Sequence, residues 1–109
     1  MIQAYDVQKC IEACQECLVI SDVCADDSGK ISGMELCSKL CLQCADACDE
    51  HINRLGKGDH SMAQECIAAC IVCAEECEKG TCKMEFCRHC AATCRVCVET
   101  CRKAELVLA

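Results

Sequence analysis

Cysteines recur along this chain at steps of three and four residues, and this spacing constrains the fold more than any other feature. The stretch CSKLCLQCADAC, residues 37 to 48, has steps of four, three and four. Side chains three or four residues apart lie on one face of an α-helix, whereas a β-strand has a period of two. The pattern therefore predicts four helices. The four groups are Cys10, Cys14, Cys17 and Cys24; Cys37, Cys41, Cys44 and Cys48; Cys66, Cys70, Cys73 and Cys77; and Cys82, Cys87, Cys90, Cys94, Cys97 and Cys101.

The groups are related by an internal repeat. A shift of 56 residues places Cys10, Cys14 and Cys17 on cysteines of the third group, and a shift of 53 places the second group on the fourth. The longest gap within the first group, from Cys17 to Cys24, keeps the phase because Ser21 lies at the skipped position. The chain therefore resembles a duplicated helical hairpin.

Residues between the groups predict where the helices begin and end. Short connections between long helices favour antiparallel neighbours, hence an up-down-up-down four-helix bundle. We expect one domain over residues 1–109, since this length suits a single core. The predicted boundaries are an end of the first helix at Asp26–Gly29, a capping box of Ser32 and Glu35, closure of the second helix by Gly56 and Gly58, a cap of Ser61 and Gln64 for the third, and a break at Gly80 and Thr81.

Thiols occupy the positions that leucine and isoleucine normally take at the axis of a bundle. Ordinary apolar residues are predicted to sit beside this stripe, and charged residues to take the remaining faces. A cysteine in place of leucine loses burial worth ~0.8 kcal/mol per CH₂, so stability alone does not explain 18 cysteines in phase. The flanking apolar residues are Ile11, Leu18, Leu36, Leu40, Ile67, Ile71, Val96 and Val98.

A column of thiols suits a soft metal ion, because thiolates select Cu(I) and zinc does not need so many sulfurs in one continuous tube. Each Cu⁺ that enters can displace one H⁺ from a thiol. If every sulfur bridges two ions and every ion takes two sulfurs, the loaded core stays near neutral, which avoids the cost of burying charge. We therefore expect a Cu(I) capacity on the order of one ion per cysteine.

Composition excludes several other classes of function. The net charge of −7, with one Phe, one Tyr and no Trp, argues against binding to nucleic acid. No apolar run approaches the ~20 residues of a membrane span. The first residues, MIQAYDVQKC, carry no export signal, so we expect a cytoplasmic protein with reduced thiols. No nucleophile–base pair or phosphate loop is present, and we expect no enzyme.

The cysteine-striped segments CIEACQEC, CSKLCLQCADAC, CIAACIVCAEEC and CRHCAATCRVCVETC resemble those of the bacterial copper storage proteins, in particular their cytosolic branch. The likeness covers nearly the whole chain. It implies a homotetramer of four-helix bundles, with many Cu(I) ions along each axis and a role in copper storage or detoxification. A copper chaperone is a further expected partner.

Soft donors other than cysteine continue the stripes at both ends of the predicted bundle. Met34 and Met84, with His89, lie at the end that includes Cys24, Cys77, Cys82 and Cys87. The opposite end includes His51 and Met62 beside Cys10, Cys48, Cys66 and Cys101. The resemblance implies that copper enters near the start of the last helix. We therefore add Met34, Met84 and His89 to the 18 cysteines as predicted metal ligands.

The sequence is also compatible with four other interpretations. Zinc, another soft metal or an iron–sulfur cluster would also use thiolates. A thiol redox protein is less favoured, because no CxxC pair follows a strand in a βαβ context. Residues 24 to 35, CADDSGKISGME, imitate a calcium loop, but Cys24 stands where an Asp is required. A bundle that only mediates protein contacts is the last alternative.

Overall fold

Four α-helices account for most of the chain. The computed structural model describes residues 2–79 and 84–108, with side chains described for residues 5–79 and 84–106. The helices are α1 (Ile2–Gly29), α2 (Glu35–Leu55), α3 (Ala63–Cys77) and α4 (Glu85–Leu108), and no strand occurs within the described ranges. The all-α prediction is confirmed. Gly80, Thr81 and Cys82, which entered the predictions above, lie outside the described residues.

The helices form an elongated bundle of 47 × 20 × 17 Å. Helix α1 packs against α2 and α4, and α3 packs against the same two helices from the opposite side. Each helix therefore has two neighbours, and all four surround a common axis. This arrangement confirms the predicted four-helix bundle.

Helix α1 ends where the sequence predicts. Its last residues overlap the segment that imitates a calcium loop, and this excludes a calcium site there. The helix continues through residues 24–29 and ends at Gly29, so this segment forms helix and not an ion-binding loop. Cys24 is fully buried, in phase with the earlier cysteines of α1. The chain then turns through residues 30–34, where Gly33 adopts a φ of 93° that a residue with a side chain would rarely accept.

The two predicted N-terminal caps are wrong. Helix α2 has Met34 at its N-cap position and no side-chain cap, although the Glu35 carboxylate accepts a hydrogen bond of 3.0 Å from the Gly33 N–H. Helix α3 has Met62 at its N-cap, again without a side-chain cap. Gln64, the predicted capping partner, instead donates to the Glu105 carboxylate on α4, at 2.7 Å.

The connection between α2 and α3 is held by polar side-chain contacts. These contacts take the place of a side-chain cap on α3. Arg54, in the last turn of α2, donates to Glu50, Asp59 and Ser61 at 2.8, 3.2 and 3.3 Å. The Asp59 carboxylate accepts the Ser61 N–H at 2.9 Å. Gly56 follows the last residue of α2, and Gly58 turns the chain with a φ of 79°. Both glycines therefore lie where the sequence placed the end of α2.

The interior contains small residues almost throughout. Every described cysteine is buried, and buried alanines flank the cysteine stripes on all four helices. Ile67, Leu55 and Val98 are the larger buried apolar residues. Leu36 and Val96, which the sequence placed beside the stripe, are 52% and 61% exposed because their positions point away from the axis.

None of the helices in the described part of the chain combines the length and the apolar character needed to cross a bilayer.

Candidate metal centre

Free thiols line the axis of the bundle from one end to the other. Sixteen of the described cysteines are buried free thiols, and Cys87 is disulfide-bonded. The column is therefore not locked by oxidation into pairs along its length. Cys87 would need to be reduced before it could bind a metal, since the thiolate is the ligand.

The middle of the column is a layer with one sulfur from each helix. Cys17 Sγ lies 3.7 Å from Cys44 Sγ, 3.8 Å from Cys70 Sγ and 3.7 Å from Cys94 Sγ. Cys44 Sγ lies 3.6 Å from Cys70 Sγ and 3.8 Å from Cys94 Sγ. Four sulfurs from four helices thus face one another across the axis. This convergence follows from the 3-4 spacing, which keeps each cysteine stripe on the inner face of its helix.

Ser21 continues α1 in the next layer, as the sequence predicted. Its side chain is fully buried, with Oγ 3.5 Å from Cys44 Sγ and 3.8 Å from Cys90 Sγ. Around it, Cys73 Sγ lies 3.6 Å from Cys41 Sγ and 3.8 Å from Cys90 Sγ. This layer therefore has a hydroxyl where the others have a thiol.

The end of the bundle near the start of α4 brings together Cys24, Cys77 and Cys87, as predicted, and adds Cys37 to them. Their sulfurs lie within 4.8 Å of one another. Ser28, which the sequence analysis did not single out, is also buried here and donates to Cys37 Sγ at 3.6 Å. Its spacing of four residues from Cys24 was the signal that could have identified it.

The three predicted non-cysteine ligands occupy different environments at this end. Met34 is half-buried and packs against the core. Met84 is 41% exposed and precedes α4. His89 is exposed on α4, where its carbonyl accepts a hydrogen bond from the Thr93 hydroxyl at 2.9 Å. His89 therefore lies outside the buried sulfur cluster, and its role as a ligand stays a prediction.

The opposite end contains a buried histidine that was not among the predicted ligands. His51, on α2, is 1% exposed, and its Nδ1 lies 3.5 Å from Cys14 Sγ. Cys101 Sγ lies 3.3 Å from Cys10 Sγ and 3.7 Å from Cys14 Sγ. His51 follows Cys48 by three residues, so it occupies the next position of the α2 stripe. That spacing was visible in the sequence.

Several overlapping groups of these donors have metal-site dimensions, with all ligand atoms of a group within 4.8 Å of one another. Cys14, Cys48 and Cys97 each belong to more than one group, so neighbouring ions in the column would share sulfurs. Among the groups are Cys14, Cys48, Cys66 and Cys97; Cys17, Cys48, Cys70 and Cys97; Cys24, Cys41, Cys77 and Cys90; and Cys10, Cys14, His51 and Cys101.

Hydrogen bonds between neighbouring thiols lower the pKa of some cysteines and raise the pKa of others. Hydrogen bonds with Cys101 and Cys14 lower the pKa of Cys10 to about 4, even though burial acts in the opposite direction. The hydrogen bond with Cys10 raises the pKa of Cys101. Burial lowers the pKa of His51, but a hydrogen bond with Cys66 and nearby thiolates outweigh burial, and the net shift is upward. A thiolate in the column is thus stabilised by the S–H of its neighbours.

These features define a class of protein: a four-helix bundle whose core is a continuous set of thiolate sites for soft metal ions. The chain belongs to the copper storage protein family, which it matches over residues 3–106. The resemblance stated from the cysteine-striped segments is therefore confirmed.

Solved structures of similar proteins agree with this assignment. The cytosolic copper storage protein of Streptomyces lividans, loaded with five coppers, superposes with a TM-score of 0.87 at 26% identity, covering 94% of both chains. A mutant of Streptomyces lividans Ccsp in which one histidine is replaced by alanine gives a TM-score of 0.89 at 26% identity, covering 97% of both chains.

One curated relative is similar over a shorter region. It is the uncharacterized cysteine-rich protein YhjQ of Bacillus subtilis, 36% identical over an alignment of 72 residues that covers 62% of this chain. The match spans 61% of that relative's length.

Proposed function

We propose that the protein stores Cu(I) ions along the axis of its bundle, bound by the thiolates of the core. The observation that carries this proposal is the continuous column of buried sulfurs, in which neighbouring Sγ atoms from different helices lie 3.3 to 4.0 Å apart. Membership of the copper storage protein family supports it. The store serves as a reserve or limits copper toxicity, and we place it in the cytosol, as for the Streptomyces lividans protein.

Charge balance favours a monovalent ion at high occupancy. The buried polar side chains within the described part of the chain are Ser21, Ser28 and His51, so no carboxylate lies in the core to neutralise excess positive charge. One Cu⁺ that replaces one thiol proton leaves the interior near neutral, whereas a divalent ion at the same ratio would leave it strongly cationic. The supported capacity is therefore on the order of one Cu(I) per cysteine.

The test is an anaerobic titration of the fully reduced protein with Cu(I), followed by elemental analysis and repeated with zinc. We expect copper uptake to continue to about one ion per cysteine, and zinc uptake to stop far earlier. Replacement of Cys44 and Cys70 by serine should lower the copper capacity by roughly two ions, with the helical content unchanged. Saturation of the intact protein at a few copper ions would contradict the proposal.

We further propose that copper enters at the end of the column near the start of α4. Met34 and Met84 carry soft thioethers there, close in sequence to the buried Cys37 and Cys87. The variant Met34→Ala with Met84→Ala should take up Cu(I) more slowly while reaching the same capacity. Met62→Ala, at the other end, is the matched control. Equal uptake rates in the double variant and the intact protein would refute this route.

We also propose a homotetramer that receives copper from a chaperone protein. Exposed apolar residues support self-association, since Val19, Val23, Leu42 and Val96 are at least half exposed on the outer faces of α1, α2 and α4. Light scattering coupled to gel filtration should give four times the mass of the chain. A monomer at micromolar concentration would contradict the tetramer without affecting the copper capacity.

A further inference from the structure

The outer face of α1 carries a second stripe at steps of three and four residues, separate from the stripe of its cysteines. Residues with this spacing lie on one face of a helix, and all six members of the stripe are exposed. The first member and the last two are apolar, and the three in the middle are charged. The outer stripe consists of Tyr5, Lys9, Glu12, Glu16, Val19 and Val23.

The outer stripe borders a groove between α1 and α4. The larger part of this groove has a volume of about 400 Å³, with Lys9 and Lys103 at one end and Glu16 and Val96 at the other. A smaller part of about 130 Å³ continues the groove along α4. Tyr5 and Val96 are 63% and 61% exposed, so apolar side chains lie open to solvent at both ends of the larger part.

Charges in the groove are separated along its length. Because α4 runs antiparallel to α1, Lys103 lies beside Lys9, and Glu16 lies about 10 Å further along α1. Asp6 also lines the lysine end, which therefore carries a net charge of +1, whereas Glu12 and Glu16 carry −2. Lys9 is 3.9 Å from Glu12 of its own helix. Glu16 and Lys103 form no ion pair with any residue in the described part of the chain.

A second copy of the chain fits this face in one orientation, because a two-fold interface must be self-complementary. A parallel pair would place Lys9 of one copy against Lys103 of the other, and these like charges repel. An antiparallel pair with its two-fold axis near Glu12 places Lys9 opposite Glu16 of the second copy, to within one residue. The same register places Tyr5 opposite Val19 of the second copy, so charged and apolar contacts match together.

We infer that the outer stripe of α1 and the adjoining groove form the interface between two antiparallel copies of this chain. The inference rests on the proposed homotetramer, and it assigns the face and the orientation of one of its interfaces. Exposed charges that have no partner within the chain determine the orientation, and the apolar members of the stripe contribute buried area.

This register leaves the proposed copper entrance uncovered. With the two-fold axis near Glu12, Val23 lies opposite the start of the other α1, so residues 24–29 extend beyond the second copy. Met34 and the start of α4 lie at the same end of the bundle as these residues. Each antiparallel pair therefore has one open copper entrance at either end, and both bundles can be loaded while the copies stay paired.

Reversal of charge on the face tests the inference. The first variant is Lys9→Glu with Lys103→Glu, and the second is Glu12→Lys with Glu16→Lys. Each variant alone should show half the mass of the intact protein in light scattering coupled to gel filtration, because like charges then meet in the antiparallel pair. An equimolar mixture of the two should recover the full mass, and native mass spectrometry should find both variants in equal numbers in the complex.

The matched control is Lys39→Glu with Lys57→Glu, which makes the same change of charge at exposed positions on α2 and the loop after it. It should keep the full mass, and circular dichroism should show unchanged helical content in all variants. Full mass in both charge-reversed variants would overturn the inference and leave the homotetramer in place. Halved masses without recovery in the mixture would also overturn it. Cu(I) titration of the same variants should give an unchanged capacity, so the copper store is tested separately.

Discussion

Ser21 lies among four cysteine sulfurs in a core where nearly every other axial position carries a thiol. Its Oγ is 3.8 Å from Cys17 Sγ and 4.0 Å from Cys94 Sγ, in addition to its contacts with Cys44 and Cys90. A hydroxyl is a harder and weaker ligand for Cu(I) than a thiolate. Ser21 therefore interrupts the thiol stripe of α1 at one position, while it preserves the shape of the interior.

The substitution Ser21→Cys should raise the copper capacity by about one ion, because it places a thiolate within reach of existing ligands. Anaerobic Cu(I) titration with elemental analysis measures the change. Ser38→Cys is the matched control, since Ser38 Oγ donates to the Ala25 carbonyl at 2.8 Å between α1 and α2 and does not face the column. The interpretation fails if both variants gain the same amount of copper.

The sequence correctly predicted which residues lie on the buried face of each helix. It did not predict the N-terminal ends of α2 and α3. Ser21 was placed correctly because the 3-4 spacing alone determines which face a residue occupies. The caps were misplaced because α2 begins later than Ser32 predicts, so Glu35 reaches the N–H of Gly33 and not that of Ser32. The conformation of a short loop determines this shift, and the helical pattern carries no information about it.

Each helix carries alanines beside its cysteines, and these small side chains decide how closely the helices approach. Ala25, Ala45, Ala74 and Ala91 are at most 4% exposed. Larger residues at these positions would move the helices apart and lengthen the sulfur–sulfur distances across the axis. The buried alanines therefore help to set the distances between the cysteine sulfurs, because both residue types pack in the same core.

Ala74→Leu should destabilise the protein by about 1 to 3 kcal/mol, because overpacking forces strained rotamers or backbone shifts. Urea unfolding of the reduced, copper-free protein gives the free energy of unfolding. Ala68→Leu is the control on the same helix, since Ala68 is exposed. Equal stability of the two variants would mean that the core around Ala74 has unused space.

A surface ion pair connects the end of α3 to α4. Arg95 donates to Glu78 through Nη2 at 2.7 Å and Nε at 3.2 Å, and this contact lowers the pKa of the Glu78 carboxyl. Because the folded-state pKa is depressed, the stabilisation is present above the ordinary pKa of glutamate and is lost as the pH falls through the lowered value. Both side chains are 45% exposed, so the contribution is small.

Arg95→Met should lower the free energy of unfolding slightly near neutral pH, because an exposed ion pair contributes little. The difference from the intact protein should vanish well below the ordinary glutamate pKa of ~4.3. Urea unfolding of both proteins, near neutral pH and in acid, measures this difference in the free energy of unfolding. Arg88→Met is the control, because Arg88 pairs only loosely with Glu85 of its own helix, at 3.9 Å. A loss for Arg95→Met that persists in acid would assign the effect to packing.

At the scale of the whole molecule, the sequence predicted the four-helix architecture and the convergence of the cysteines on its axis from one periodic signal. Four stripes of the same residue type must converge, since each helix buries the face that carries its cysteines. The sequence did not predict the outward placement of His89 or the contact between His51 and Cys14. Both depend on how each helix is rotated about its axis at the ends, where fewer neighbours constrain it.

Copper loading should leave the net charge of the protein nearly unchanged, because each Cu⁺ replaces one thiol proton. Native mass spectrometry of the anaerobically loaded chain measures this directly. Each added ion should raise the mass by that of copper less one proton. Protein with alkylated cysteines is the control and should bind no copper. A mass gain of copper without proton loss would contradict exchange of protons for ions.

Every described cysteine is buried, so a protein that binds the outer surface of the bundle does not contact the sulfurs. A bundle that carries its cargo at the axis, at constant charge, presents the same flanks whether it is empty or full. Proteins that touch those flanks therefore receive no signal about how much copper is held. A protein that senses the filling state would have to contact the two tips of the bundle, where the column of sulfurs ends.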